Sequence, residues 1–75
     1  MERDKQLIHY WALRMKPLLN KQEFKKLIGT VEGKWCSPIN RVQLLMENTP
    51  KQVRNARIQK LVSDTIQEII KSRKS

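Results

Sequence analysis

This chain has little of what small proteins use to hold themselves together covalently or through a metal. Cys36 is the only cysteine among 75 residues and His9 the only histidine. An intrachain disulfide is therefore excluded, and a zinc site, which needs about four such ligands, is not expected. The two glycines, Gly29 and Gly33, do not form a phosphate-binding loop. Stability must come from helix packing or from oligomerisation.

Groups that perform catalysis are equally scarce. The seven acidic residues are scattered, and only Asp64 and Glu68 share a helix face, with no third ligand or base beside them. We expect His9 to be an ordinary surface residue and Cys36 to pack as a small apolar side chain rather than act as a nucleophile. The sequence therefore predicts no enzyme activity, no metal and no cofactor.

Long apolar runs are also missing. No stretch approaches the ~18 apolar residues that cross a bilayer, and no signal-peptide pattern is present. A single thiol suits a reducing compartment. We expect a soluble cytoplasmic protein, or a nuclear one if the source is eukaryotic.

Negative charge is in short supply, and positive charge is abundant. Sixteen Lys and Arg against seven Asp and Glu give a net charge of +9. Such an excess attracts polyanions, and nucleic acid is the first candidate for a small intracellular protein. Anionic membranes and acidic protein surfaces are the alternatives, as is a basic surface that binds nothing.

The pattern of apolar residues predicts a small all-α domain of four helices that spans residues 1–75. Helical spacing places one stripe on the first helix, over residues 3–15, and Pro17 ends it. Asn20 is a good N-cap for the second helix, and Glu23 can complete a capping box. Gly29 is the expected end of that helix. Residues 30–36 are expected to form a tight turn, a very small hairpin or an ordered loop.

Two further helices follow the same kind of boundary signal. Ser37 and Pro38 predict the start of the third helix, and Asn48 its end. Thr49 is the expected N-cap of a long fourth helix, which reaches residue 70 or 71 and leaves 71–75 as a frayed basic tail. The apolar residues of the third helix are expected to face inward: Ile39, Val42, Leu45 and Met46. Trp11 and Trp35 are expected in the core.

The polar and apolar faces of the fourth helix exchange places along its length. Val53 and Ala56 point to one side of the first two turns, and polar residues cover the other side. From Ile58 onward, apolar residues lie where those polar residues were. A simple surface helix keeps one apolar stripe, so this pattern predicts two separate binding faces.

Residues 39–58 resemble the helix-turn-helix of DNA-binding proteins. Val42 and Met46 match apolar positions of its first helix, and Val53 and Ala56 match the residues by which a recognition helix packs back. The chain departs from the pattern where a small residue, a glycine and an apolar residue are usual, since it has Gln43, Glu47 and Asn48. The resemblance implies that the start of the fourth helix enters the major groove of DNA.

The residues predicted to contact nucleic acid are basic or carry amide groups. Arg forks suit guanine, Asn and Gln suit adenine, and additional cations suit phosphates. The free N–H groups that open the fourth helix, with Thr49, would also suit a phosphate. The predicted set is Lys51, Gln52, Arg54, Asn55, Arg57, Gln59, Lys60, Lys34 and Arg41.

The later stripe of the fourth helix predicts an interface. Its members are Ile58, Val62, Ile66, Ile69 and Ile70. Either the first helix of the same chain or a second copy can cover it, and a homodimer would supply the paired binding that small DNA-binding domains need. The preferred interpretation is a dimeric regulator of transcription that binds double-stranded DNA. RNA binding is one alternative; the other is a protein-binding adaptor or inhibitor that docks the isoleucine stripe on a larger complex.

Overall fold

The computed structural model describes residues 2–15, 17 and 19–73, with the backbone alone at Glu2. Within these residues it contains four helices and no strand, as the sequence predicts. They are α1 (Glu2–Met15), α2 (Lys21–Trp35), α3 (Pro38–Met46) and α4 (Lys51–Ser72). None of the helices in this part of the chain is long and apolar enough to cross a membrane.

Three of the helices form a bundle, and the short α3 lies at one end of it. α1, α2 and α4 contact one another, whereas α3 contacts α2. The start of α1 lies beside the start of α4, and the two helices run parallel. α2 runs antiparallel to both, because Trp35 at its end bonds to Asp4, and Glu23 near its start bonds to Arg73.

The core is made of aliphatic side chains and one indole. Trp35 is buried as predicted, whereas Trp11 is half-buried and packs against the core edge. Cys36 is half-buried and also packs there. The buried apolar residues are Ile8, Ala12, Leu27, Val31, Trp35, Leu44, Ile58, Val62, Ile66 and Ile69.

The predicted end of α2 at Gly29 is wrong, and so is the turn, hairpin or loop expected over residues 30–36. The helix continues to Trp35, and Gly29 keeps a negative φ. Val31 and Trp35 follow Leu27 at intervals of four, so they extend its stripe into the core. This burial outweighs the cost of about 1 kcal/mol that an interior glycine imposes on a helix.

The predicted inward face of α3 is wrong. Ser37 caps the helix and Pro38 opens it as expected, but Leu44 is the residue that is buried. The reason lies at the end of α2, where Asn40 Nδ2 donates to the Trp35 carbonyl at 2.6 Å. Helix-end carbonyls need such donors, and this bond turns Asn40 and Leu44 inward. The four residues expected inside are exposed instead: Ile39, Val42, Leu45 and Met46.

The connection between α3 and α4 closes on backbone hydrogen bonds. Asn48 ends α3 as predicted and has a φ of 49°, a left-handed conformation that Asn tolerates. Its N–H donates to Leu45 and the N–H of Thr49 donates to Leu44, which is the pattern of a Schellman motif. The predicted cap at Thr49 is wrong: Thr49 is buried against this turn, and Pro50 precedes α4 without a side-chain cap.

The predicted exchange of faces on α4 does not occur, because one side of the helix faces inward from Asn55 to Ile69. Asn55 is half-buried on that side and continues the line of Ile58 and Val62. Val53 is 39 % exposed, and Ala56 is exposed. The inward packing expected of Val53 and Ala56 is therefore wrong, and a helix-turn-helix arrangement is not confirmed.

An ion pair ties the end of the chain to the start of α2. Asn20 and Glu23 form the predicted capping box, and Glu23 also accepts from Arg73 Nε at 2.6 Å. Residues 71 and 72 belong to α4, so the basic tail predicted over 71–75 does not begin there. Lys74 and Ser75 lie outside the described residues.

Two isoleucine variants test which sides of α3 and α4 face the core. Ile58→Ala removes a fully buried side chain and should destabilise the fold by about 2–5 kcal/mol. Ile39→Ala is the matched control, since Ile39 is 80 % exposed and its loss should change stability by no more than about 0.5 kcal/mol. Urea denaturation followed by circular dichroism measures both. Similar losses for the two variants would contradict this packing.

Acid should weaken the ion pair between Glu23 and Arg73. Hydrogen bonds from Arg73 and from the Asn20 N–H lower the pKa of Glu23 from 4.5 to about 2. A carboxylate with a lowered folded-state pKa stabilises the fold above pH 4.5, and this stabilisation is lost as the pH falls towards 2. Glu23→Gln should lower the melting temperature at pH 7, and the difference from wild type should shrink over that window.

Glu23→Gln removes the ion pair but keeps the capping box, because a glutamine side chain at this position can also accept from the Asn20 N–H. Asp64→Asn removes one negative charge from an exposed site on α4 and should change the melting temperature less at pH 7. A difference between Glu23→Gln and wild type that stays constant down to pH 2 would show that the ionised pair does not stabilise the fold.

Candidate nucleic-acid interface

A shallow groove of about 820 Å³ lies between α1 and the start of α4. It lies beside the starts of both helices, next to the half-buried Trp11. Two of its residues, Lys51 and Asn55, belong to the set that the sequence predicts to contact nucleic acid. The others come from α1 and include Arg3, Gln6, Tyr10 and Trp11. The groove therefore combines cations, amides and aromatic rings.

The floor of the groove is fixed by a hydrogen bond between the two helices. Trp11 Nε1 donates to Asn55 Oδ1 at 2.7 Å. An indole N–H that is buried usually needs such a partner, and the bond explains how a polar residue can occupy the core side of α4. The bond uses one of the two lone pairs of the amide oxygen and holds Asn55 half-buried against Trp11, so Asn55 is less accessible to a base than an exposed amide.

The N-terminus of α4 opens beside this groove. Pro50 precedes the helix, and no side chain caps it. The N–H groups of Val53 and Arg54 are bonded to the Pro50 carbonyl, which leaves those of Lys51 and Gln52 as the donors of the first turn. The aligned peptide dipoles add a partial positive charge at this end. Anions are favoured at such a terminus, and the side chain of Lys51 adds a full charge.

Tyr10 forms an aromatic wall that the sequence analysis did not identify. It is 47 % exposed, and its ring meets Trp11 edge-on with centroids 5.2 Å apart. Arg14 donates to the Tyr10 hydroxyl at 2.6 Å and lies over both rings. Arg3 and Gln6 were missed as well. Arg3, Gln6 and Tyr10 follow one another at intervals of three and four residues, which places them on one side of a helix and was the available signal.

The remaining predicted contact residues divide into several places. Gln52 and Gln59 are exposed one turn before and after Asn55, so the three form a polar row along α4 beside the groove. Lys34 and Lys60 are exposed. Arg57 Nη1 is bound to Glu47 at 2.8 Å.

Arg41 and Arg54 lie apart from the groove. They line a smaller pocket together with Leu44 and Leu45, on the side of α4 that faces α3. The structure thus brings Lys51 and Asn55 together with α1, and groups Arg41 with Arg54 in a different place. It does not gather all nine predicted residues on one surface.

Most of the carboxylates whose side chains are described are already engaged. Asp4 is buried and accepts from Trp35, Glu23 binds Arg73, and Glu47 binds Arg57. Glu32 lies 3.7 Å from His9 Nε2. The two remaining acids, Asp64 and Glu68, are exposed on the second half of α4, away from Lys51. Asp64 and Glu68 therefore do not offset the positive charge of Lys51 at the groove.

The isoleucine stripe of α4 is core and not an interface. Ile58 and Val62 are fully buried, Ile66 and Ile69 are 7 % and 5 % exposed, and Ile70 is half-buried. α1 and α2 of the same chain cover this side of the helix. The sequence allowed either the first helix of the same chain or a second copy to cover the stripe, and the structure has the first of these. Neither a dimer nor a larger partner can use this stripe while the chain is folded.

Comparison of the chain with protein-family models, with curated proteins and with solved structures finds no match. In the described part of the chain, no three His, Cys, Asp or Glu residues lie close enough together to hold a metal. Function must therefore be inferred from the surface of this chain.

The bond between Trp11 and Asn55 gives Asn55 a structural role that can be measured. Asn55→Ala leaves the indole N–H unpaired and should destabilise the fold by about 1 kcal/mol or more. Gln59→Ala, one turn further along the same helix, removes an exposed amide and should cost less than about 0.5 kcal/mol. Equal urea midpoints for the two variants would show that the bond does not contribute to stability.

Proposed function

We propose that this protein binds nucleic acid through the groove between α1 and the start of α4. Double-stranded DNA is the first ligand to test, and regulation of transcription is the role that such binding would serve. One observation carries the proposal: Arg3, Lys51 and the uncapped N-terminus of α4 converge on one groove. Cations and free N–H donors at one place suit a phosphate backbone.

The charge of the whole chain supports the same function. A net charge of +9 attracts a polyanion over distances near the Debye length, about 10 Å at 0.1 M salt. Asp64 and Glu68 lie towards the far end of α4, so these two acids do not oppose Lys51 at its start. Lys60 is exposed but lies nine residues after Lys51, on the opposite side of α4, and is not part of this contact.

Base contacts would then come from the glutamines. Gln52 and Gln59 are exposed on either side of Asn55 and can each pair with adenine, whereas Asn55 is half-buried and bonded to Trp11. Tyr10 offers an exposed ring face on which an unpaired base can stack. A duplex would use the glutamines, whereas a single strand would use the ring. The relative affinities for duplex and single-stranded probes therefore report which groups make contact.

Affinity for a labelled duplex should fall steeply with salt. A protein that neutralises several phosphates shows a log–log slope of about −0.9 per phosphate. Fluorescence anisotropy between about 50 and 200 mM salt measures that slope, with structured RNA and single-stranded DNA as parallel probes. Affinity that does not change over this range would contradict binding through phosphates.

Position along α4 separates a real site from general attraction between opposite charges. Lys51→Gln and Lys71→Gln remove the same charge from exposed positions on one helix, about 30 Å apart. Lys51→Gln should weaken duplex binding more and reduce the salt slope by about one phosphate. Equal losses for the two variants would leave only non-specific attraction, and the groove would not be the site.

A further inference from the structure

The outward side of α3 is an exposed apolar face that no described part of the chain covers. Met46, Ile39 and Leu45 are 82 %, 80 % and 77 % exposed, and Val42 is 54 % exposed. The helix has nine residues, so these four make up nearly half of it. Single exposed apolar residues are ordinary, but a contiguous group on one helix side marks an interaction surface.

The bundle cannot rotate this face inward. Asn40 is held by the Trp35 carbonyl, and Leu44, one turn on, is 3 % exposed. The turn after Met46 is closed by the backbone bonds of Asn48 and Thr49. Both ends of α3 are thus fixed, and its apolar face remains outward in the folded chain.

A pocket with two guanidinium groups adjoins this face. It measures about 210 Å³ and is lined by Arg41, Leu44, Leu45 and Arg54. Arg54 Nε is buried and has no hydrogen-bond partner. A buried donor on a charged group is costly to leave unpaired. Glu47, the acid nearest in sequence, already accepts from Arg57 and Thr49.

A carboxylate is the group that this pocket fits. Guanidinium groups bind carboxylates through paired, charge-assisted hydrogen bonds, and the two leucines exclude water from one side. α3 itself contains one basic residue, Arg41, and no acid. Arg54 Nε has no contact with solvent, so its guanidinium must turn towards the pocket to meet a carboxylate there. A ligand that covers the apolar face and offers that carboxylate would give Arg54 a partner and bury the four exposed side chains in one step.

We propose that α3 docks an acidic amphipathic segment of another protein. Its apolar side chains would pack on Ile39, Val42, Leu45 and Met46, and one of its carboxylates would bind Arg41 and Arg54. Charge selects this occupant over a second copy, because two chains of +9 repel each other while an acidic segment is attracted. About three helical turns of the partner span α3, which is roughly 13 Å long. This surface is separate from the nucleic-acid groove and does not depend on it.

Selection from a displayed library of random 16-residue peptides tests the docking surface. The chain is the bait, and the variant Leu45→Gln with Met46→Gln is the counter-bait. The two have the same charge, so peptides held only by general attraction are removed. Enriched peptides should carry apolar residues at helical spacing together with Asp or Glu, and should bind the variant at least about tenfold more weakly.

The carboxylate contact is tested with the best of those peptides. Arg41→Gln should weaken its binding more than Lys71→Gln, which removes an equal charge from an exposed site at the far end of α4. Changing the acidic residues of the peptide to amides should have the same effect as Arg41→Gln. Equal effects of Arg41→Gln and Lys71→Gln would show that the pocket does not bind the carboxylate, which overturns that part of the proposal.

Three results would overturn the docking proposal itself. One is that no peptide distinguishes the chain from the double variant. Another is a wild-type dimer in sedimentation that the double variant abolishes, since a second copy would then cover the face. The last is a loss of duplex affinity in the double variant, which would assign α3 to nucleic acid. Unchanged duplex affinity, with peptide binding lost, separates this surface from the groove whether or not the groove binds DNA.

Discussion

The fold depends on one continuous contact, the packing of α4 between α1 and α2. Ile58, Val62, Ile66 and Ile69 supply its aliphatic surface, and Ile8, Leu27 and Val31 oppose them. The other buried apolar residues, Ala12, Trp35 and Leu44, belong to the same cluster, so the described residues form one core. Once these residues are enclosed, the rotation of α4 is fixed. Val53 and Ala56 must then face solvent, whatever the local pattern of the first two turns suggests.

Polar bonds at the end of the bundle complete what the aliphatic core begins. The two indoles donate to residues on other helices, Trp11 to Asn55 and Trp35 to Asp4. Each bond lets a polar side chain occupy the core side of a helix without an unsatisfied group. Both bonds lie towards the end of the bundle at which α4 begins, and Trp11 and Asn55 also line the groove.

Local signals in the sequence predicted most boundaries, because caps depend on neighbouring residues. The capping box of Asn20 and the Ser37-Pro38 start are present as expected. The end of α2 predicted at Gly29 was wrong, since a glycine can either end a helix or lie within one. Only the burial of Val31 and Trp35 decides between these, and burial is a property of the whole fold.

The rotation of a short helix could not be predicted in the same way. Four apolar residues on one side of α3 are the usual sign of a buried face. The bond from Asn40 to Trp35 and the burial of Leu44 determine the actual orientation, and no periodicity reveals them. The sequence predicted only the part of the groove that belongs to α4. Lys51 was visible on a helix start, whereas Arg3 and Tyr10 reach it only because α1 runs parallel to α4.

The aliphatic core and the two proposed binding surfaces lie largely in different parts of this small molecule. α1, α2 and the second half of α4 enclose the core, and Glu23 of α2 pairs with Arg73 just after α4. α3 and the first turns of α4 add only Leu44 and Thr49 to the buried set before Ile58. Side chains on their outer sides are therefore free of packing constraints. Exposed cations and apolar residues persist in such a region at little cost to folding, so their chemistry reflects what the surface contacts.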